Sequence, residues 1–257
     1  MMLRSFAWTA VLVLSVGRTA AAEEAQLTRL AEDQVPQASA LAQEGALTPL
    51  LQHAGDAGAG FAIAGTTYNT TTDKVAVDIA GEVHLTGRFS LVLRVDNAVS
   101  DAARPGLGAA VRLLEEGRHG VAATGYLVYK AEGFSEPEGE LEALASVSRG
   151  FGAVRAVANV AYGQDPEGNE RDGELALGVQ LRPLPTLSTG LVARYRDALG
   201  SRGEGGVVRD VFAGASATLA VGRFGLSGLA GLSGIETKTS GSLDTGLSVT
   251  AAVAAVF

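Results

Sequence analysis

From residue 59 onward, apolar side chains recur at every second position, in runs separated by Gly, Pro, Asp and Asn. In "KVAVDIAGEVHL", Val75, Val77, Ile79, Gly81, Val83 and Leu85 alternate with Ala76, Asp78, Ala80, Glu82 and His84. "RFSLVLRVD" sets Phe89, Leu91, Leu93 and Val95 against Arg88, Ser90, Arg94 and Asp96. "GELALGVQLR" sets Leu175, Leu177, Val179 and Leu181 against Glu174, Gly178, Gln180 and Arg182. Period two is the signature of strands with one apolar and one polar face. The runs predict strands near 59–68, 74–85, 88–96, 106–114, 119–129, 140–148, 152–162, 174–181, 187–196, 210–221, 224–234 and 243–257, twelve in all.

The links between these strands alternate in length. Short ones fall near 86–88, 115–118, 149–151, 182–186 and 222–223; longer polar ones near 69–74, 97–105, 131–140, 163–173, 197–209 and 235–242. A sheet whose every strand crosses a layer between two compartments shows that regularity, whereas a sandwich with Greek-key crossings mixes lengths. Phe61, Phe89, Phe151, Phe224 and Phe257 fall at the short-turn ends, and Tyr68, Tyr129, Tyr162 and Tyr195 where strands meet the long loops. Phe134 and Phe212, toward the loop side, depart from the sorting. Amphipathic rings collect at membrane–water interfaces, although strands are enriched in aromatics in any case. The short turns carry Arg beside Gly at Arg88, Arg118, Arg149 and Arg223, with Arg182 at the remaining turn. Gly gives a tight hairpin its backbone freedom; the Arg side chains either snorkel to lipid phosphates or stand as solvated turn charge.

The start of the chain narrows the setting. "MMLRSFAWTAVLVLSVGRTAAAEE" has Arg4, an apolar run from Phe6 to Val16 and small residues up to Ala22. That is the layout of a secretory signal peptide cleaved near Ala22, with an apolar run too short to span a bilayer as a helix. No later stretch reaches the length of a transmembrane helix, and the chain has no cysteine. An exported chain without disulfides or a helical anchor is a soluble secreted protein or a transmembrane barrel. The net charge of −8 leaves nucleic acid out as a partner.

The signal peptide, alternating strands, asymmetric loops and final Phe resemble those of Gram-negative outer-membrane β-barrels, the porin-like superfamily. The resemblance implies an all-β fold, a twelve-stranded antiparallel transmembrane β-barrel over 58–257, in contact with outer-membrane lipid and lipopolysaccharide. In that class the barrel-assembly machinery reads a last strand with alternate apolar residues and a terminal aromatic. Val249, Ala251, Val253 and Phe257 match that assembly signal, and Ala255 stands where the class usually has a larger residue. Residues 23–57 read differently, as a short helical periplasmic or plug segment. Leu27, Leu30, Ala31 and Gln34 keep helical spacing, Pro36 and Pro49 break it, and "AGDAGAG" forms a hinge.

The candidate chemistry lies on the inward face. Asp78, Glu82, His84, Arg94, Arg112, Lys130, Glu142, Arg155, Asn159, Glu174, Gln180, Arg194 and Asp244 share that parity, among many Ala, Gly and Ser. Mixed charges suit a narrow aqueous pore, and equally a closed interior filled by ion pairs. Outer-membrane phospholipases, similar in size, use Ser–His–Asn on the outer face. Here His53 precedes the barrel, His119 lies at a turn and His84 points inward, so no such motif stands out and an enzyme is not expected. "DPEGNERDGE" at 165–174 echoes a calcium loop but has Glu170 where the turn glycine belongs. No cofactor motif is present. The expectation is a narrow passive channel for small polar solutes, or else a non-conducting structural barrel whose N-terminal segment is a plug or partner hook.

Overall fold

A computed structural model describes residues 60–257 except 101–102, 135–138, 167–170, 185, 200–206 and 238–240, together with 42–43 and 46–47. Twelve strands close into one antiparallel barrel: β1 (Gly60–Asn69), β2 (Lys74–His84), β3 (Phe89–Asp96), β4 (Arg104–Leu114), β5 (Ala122–Ala131) and β6 (Gly139–Phe151), then β7 (Val154–Gln164), β8 (Arg171–Leu184), β9 (Leu187–Ala198), β10 (Val207–Val221), β11 (Phe224–Thr237) and β12 (Leu243–Val256). Each strand pairs with its sequence neighbours, and β12 closes on β1 from Ser248 opposite Asn69 to Val256 opposite Phe61. The seam is fixed at both ends. Gly60 and Phe257 exchange N–H···O bonds of 2.8 and 2.9 Å, and the Thr70 N–H donates to the Leu247 carbonyl at 2.9 Å. Closure leaves no free sheet edge.

The two faces invert the arrangement of a water-soluble protein. Leu191 is 69% and Leu232 67% exposed on the outer face, whereas Glu82 is 1% and Asn69 2% exposed inside. Leu91, Leu93, Leu107, Leu127, Leu175, Leu177, Val179, Leu226, Leu247 and Val249 extend the exposed apolar face around the barrel. An apolar surface of that extent marks a face that meets an apolar partner or solvent. The hairpin turns at Gly152 and Gly222 have φ of 64° and 57°, a conformation that glycine adopts without steric cost.

Every predicted strand is present, and several run further than the alternation indicated. β6 continues to Phe151, β10 begins at Val207 and β11 reaches Thr237. The extensions on the long-loop side carry charged residues such as Arg209 and Glu236, which pair across the ladder instead of following an apolar rhythm. β5 begins later than expected because Glu116–His119 forms one helical turn, α1, ended by Gly120 in the left-handed region at φ 73°.

Two aromatic assignments are corrected. Phe61 does not join the short-turn belt: it points inward and is 2% exposed, opposite the inward Glu82. The large apolar residues of "FAIAGTT", Phe61 and Ile63, both face inward and only Ala62 and Ala64 alternate with them outward, so β1 inverts the usual parity at its short-turn end. Phe212, off-pattern in the sequence, is an interior residue, 3% exposed. The helix expected within 23–57 is not seen in the described part of that segment. Ala42–Gln43 and Ala46–Leu47 pair as a short antiparallel ladder, in keeping with the helix-breaking Gly45 between them. The rest of 23–57, and the signal peptide with its cleavage site, lie outside the described residues.

Candidate functional site: the barrel interior

Inward parity brings residues from distant parts of the chain onto one wall, and β-strand stagger decides which of them meet. Toward the long-loop rim, the Arg94 guanidinium donates to Asp96 at 3.0 Å and to Glu142 Oε1 at 2.9 Å. Lys130 Nζ reaches Glu142 Oε2 at 2.7 Å and Glu140 at 3.2 Å. Glu142 therefore bridges two cations from β3 and β5. On the opposite part of the wall Arg194 pairs with Asp210 at 2.5 Å, Arg196 pairs with Asp172, and Glu174 lies opposite Arg196 in the β8–β9 register. Asp78 accepts from the Asn97 backbone N–H at 2.9 Å, tying the loop after β3 to the wall.

Glycine makes room for this layer. A Cβ on Gly106 would lie 2.7 Å from Cγ of Arg94, so the arginine stem crosses over a position that can carry no side chain. The same device recurs lower down, where a Cβ on Gly214 would meet the Phe212 ring at 2.5 Å.

Below the charged layer the wall turns apolar. Val92, Ala110, Tyr126, Val128 and Leu144 form one buried cluster, and Val157, Ala176, Val192, Phe212 and Leu229 another, which together run from β3 to β11. The sector across the seam is instead lined by hydroxyl and amide groups. Thr67 and Thr250 share a 2.9 Å hydrogen bond, and Asn69 Nδ2 donates to Ser233 Oγ at 3.0 Å. Asn159 is 3% exposed, and both atoms of its carboxamide are without a hydrogen-bond partner.

A second set of charges sits at the short-turn end. His84 Nε2 lies 3.6 Å from Glu82, and Arg112 lies 3.9 Å from Glu115. Glu116 of α1 holds Arg155 at 3.4 Å and accepts from the Gly150 N–H at 2.5 Å, while Arg155 also donates to Ser148 Oγ at 3.1 Å. His84 stands opposite Ser90 in the β2–β3 register, with His84 and Ser90 among the most buried side chains.

The residues singled out from the sequence thus fall into two groups. Asp78, Arg94, Lys130, Glu142, Glu174 and Arg194 gather at the long-loop end, and Glu82, His84, Arg112 and Arg155 at the short-turn end. Gln180 is buried opposite Arg155. Asp244 keeps the same parity as buried Ser248 and Thr250, yet it is exposed at the long-loop rim. Asp96, Glu140, Asp172, Arg196, Asp210 and Glu116 join the networks without having been singled out; inward parity with Arg94 and Glu142 would have drawn Asp96 and Glu140 in. Val249 and Val253, half exposed, and Phe257, 38% exposed, share the outer face with Ala251.

No family model matches the chain, and no curated protein matches it. Solved structures do. The NanC porin aligns over 76% of this chain and 98% of its own, at 8% identity and a TM-score of 0.53. LpxR from Salmonella typhimurium aligns over 77% and 100% at 9% identity and a TM-score of 0.46. The outer membrane channel DcaP of Acinetobacter baumannii aligns over 77% and 72% at 13% identity and a TM-score of 0.43. At 8% identity the likeness to the NanC porin is one of fold alone, a closed β-barrel.

Proposed function

We propose that the protein is an outer-membrane channel that passes small polar solutes through a narrow interior, without covalent catalysis. The observation that carries this reading is the inversion of the two faces. A continuous apolar exterior encloses a wall that is charged at both ends and, beside the apolar arc from β3 to β11, lined by hydroxyl and amide groups near the seam; that sector is the layer-spanning polar path. Asn159 supports it, since a buried carboxamide without a protein partner calls for water or a solute to satisfy it. In this reading the short turns face the periplasm and the long loops the exterior. The protein enters by way of the barrel-assembly machinery and contacts phospholipid and lipopolysaccharide. On the inner wall the eight carboxylates Asp78, Glu82, Asp96, Glu140, Glu142, Asp172, Glu174 and Asp210 outnumber by one the cations Arg94, Arg112, Lys130, Arg155, Arg182, Arg194 and Arg196. That excess favours cations over anions.

One observation favours a second reading, a barrel that does not conduct. The interior charges are engaged with one another, and Arg94, Lys130 and Arg194 are 4–7% exposed. Conductance of the refolded protein in planar bilayers separates the two. Discrete channels whose reversal potential favours cations are expected. No channels, from the whole chain or from one lacking residues 23–57, would establish the closed barrel. Fractionation of cells tests the premise: recovery in the soluble fraction would end both readings.

A further inference from the structure

The short-turn rim has a feature that the interior does not explain. At three of its turns an arginine is followed by a phenylalanine one or two positions later: Arg88 and Phe89, Arg149 and Phe151, Arg223 and Phe224. The Arg149 guanidinium carbon lies 4.9 Å from the centroid of the Phe151 ring, and that of Arg223 5.6 Å from the Phe224 ring. Phe89 and Phe151 are more than half exposed, on the outer face that carries the apolar residues of β3 and β6. The Arg149–Phe151 and Arg223–Phe224 couplets therefore put a ring at the edge of the apolar exterior with a cation at the turn beside it, whereas Arg88 continues the inward parity of Ser90 and Arg94 and lies opposite Arg112.

These cations are unlike those of the interior. Arg88, Arg118, Arg149 and Arg223 are exposed, and none forms an ion pair with a carboxylate among the described residues. The carboxylates nearest in sequence are committed elsewhere: Glu115 to Arg112, and Glu116 to Arg155 and the Gly150 N–H. A guanidinium presents a planar fork of donors that matches a phosphate oxygen pair, and its weak hydration and affinity for ring faces suit it to the headgroup boundary. A fixed arginine–aromatic couplet repeated along one rim is a built contact for a phosphate that arrives at the depth of a lipid headgroup.

Resting on the outer-membrane reading above, we infer that the short-turn rim binds the phosphates of anionic glycerophospholipids in the leaflet it faces, with Arg149 and Arg223 as the phosphate-contacting residues and Phe151 and Phe224 setting their depth. The shared chemistry is a phosphodiester on an acyl anchor, so a free phosphate ester in water should not substitute for it.

The test reconstitutes the refolded full chain into vesicles of equal parts phosphatidylcholine and phosphatidylglycerol, extracts it in mild detergent and measures the co-purifying lipids by native mass spectrometry. The wild type is expected to retain phosphatidylglycerol over phosphatidylcholine several-fold, and R149Q/R223Q to retain them equally. The control R104Q/R171Q removes two exposed arginines of the opposite rim that have no ring beneath them, and should keep the wild-type ratio. Soluble glycerol phosphate should leave the ratio unchanged; loss of the ratio would show a site for free phosphate and overturn the lipid assignment. An unchanged ratio in the double variant would overturn the proposal. Strand circular dichroism and heat-dependent gel mobility verify that the variant is folded. If it is not, the single variant R149Q with its salt dependence replaces it: a ratio insensitive to both would be equally fatal. Failure of the wild type to insert into vesicles at all would instead refute the membrane reading.

Discussion

The two rims of the barrel meet the same demand with different chemistry. At the long-loop rim the tyrosines turn their hydroxyls to acceptors on their own hairpins: Tyr68 donates to Asp73 at 2.9 Å, Tyr162 to Gln164 at 3.0 Å and Tyr195 to Asp197 at 3.0 Å. At the short-turn rim the rings are phenylalanines with arginine beside them. A phenolic hydroxyl needs a water-facing acceptor, and the long polar loops have residues to supply one. A turn of two or three residues does not, so the ring loses its hydroxyl and the turn itself provides the polar end. The charges follow the same division. Arg94, Lys130 and Arg194 near the long loops are neutralised within the molecule, while Arg149 and Arg223 on the short turns have no carboxylate partner among the described residues.

Removing one group from each rim should expose the difference. Deleting Phe257, which closes the seam at the short-turn end, is expected to have the largest effect: a several-fold loss of assembled barrel in cells, read by heat-dependent gel mobility. Tyr68→Ala, at the other end of β1, should assemble nearly as the wild type does. Equal losses would erase the distinction between the rims as far as assembly is concerned. Next comes Glu142→Leu, which takes one partner each from Arg94 and Lys130 while leaving them Asp96 and Glu140, and should cost about 1.5–3 kcal/mol in urea unfolding from vesicles. Its counterpart Arg149→Leu, in phosphatidylcholine, gives up one exposed cation–ring contact, about 0.5–1 kcal/mol. If the second change cost as much as the first, the short-turn arginines would have partners within the protein. Smallest is Tyr195→Phe, which forfeits a single hydrogen bond of about 1 kcal/mol or less, and which should leave the unfolding slope unchanged.

What the sequence revealed, and what it withheld, follows from the range of the interactions involved. The strand count was legible because alternation persists for most of each crossing and glycine or polar residues interrupt it. The Leu175–Leu181 and Leu247–Val253 runs needed nothing more. Phe61 was misplaced because β1 inverts the majority rule: its large apolar Phe61 and Ile63 face inward against small outward Ala62 and Ala64. The charged set was legible as a face but not as a network. Arg94 and Glu142 are 48 residues apart, and their meeting depends on the stagger between strands, which no local pattern encodes. The apolar arc from Val92 to Leu229 was overlooked for a related reason. Polar inside and apolar outside is a rule about the majority of positions, and Phe212 or Leu229 on the minority face reads as noise until its neighbours are known.

The seam between β1 and β12 sets an order of events for making the barrel. Every other pairing joins strands adjacent in sequence, whose hairpins close short loops, but Thr67 and Thr250 are 183 residues apart. Ring closure over that distance carries the largest entropy of any contact in the molecule, and it gains little until the other ladders stand. The facing residues are small, Ala62, Ala64 and Gly65 against Ala252, Val253 and Ala255, so the joint is held by main-chain hydrogen bonds and a pair of hydroxyls more than by packing. The chain thus zips from hairpin to hairpin and latches last where it is least encumbered by side chains, and under load the latch is where it should first come undone.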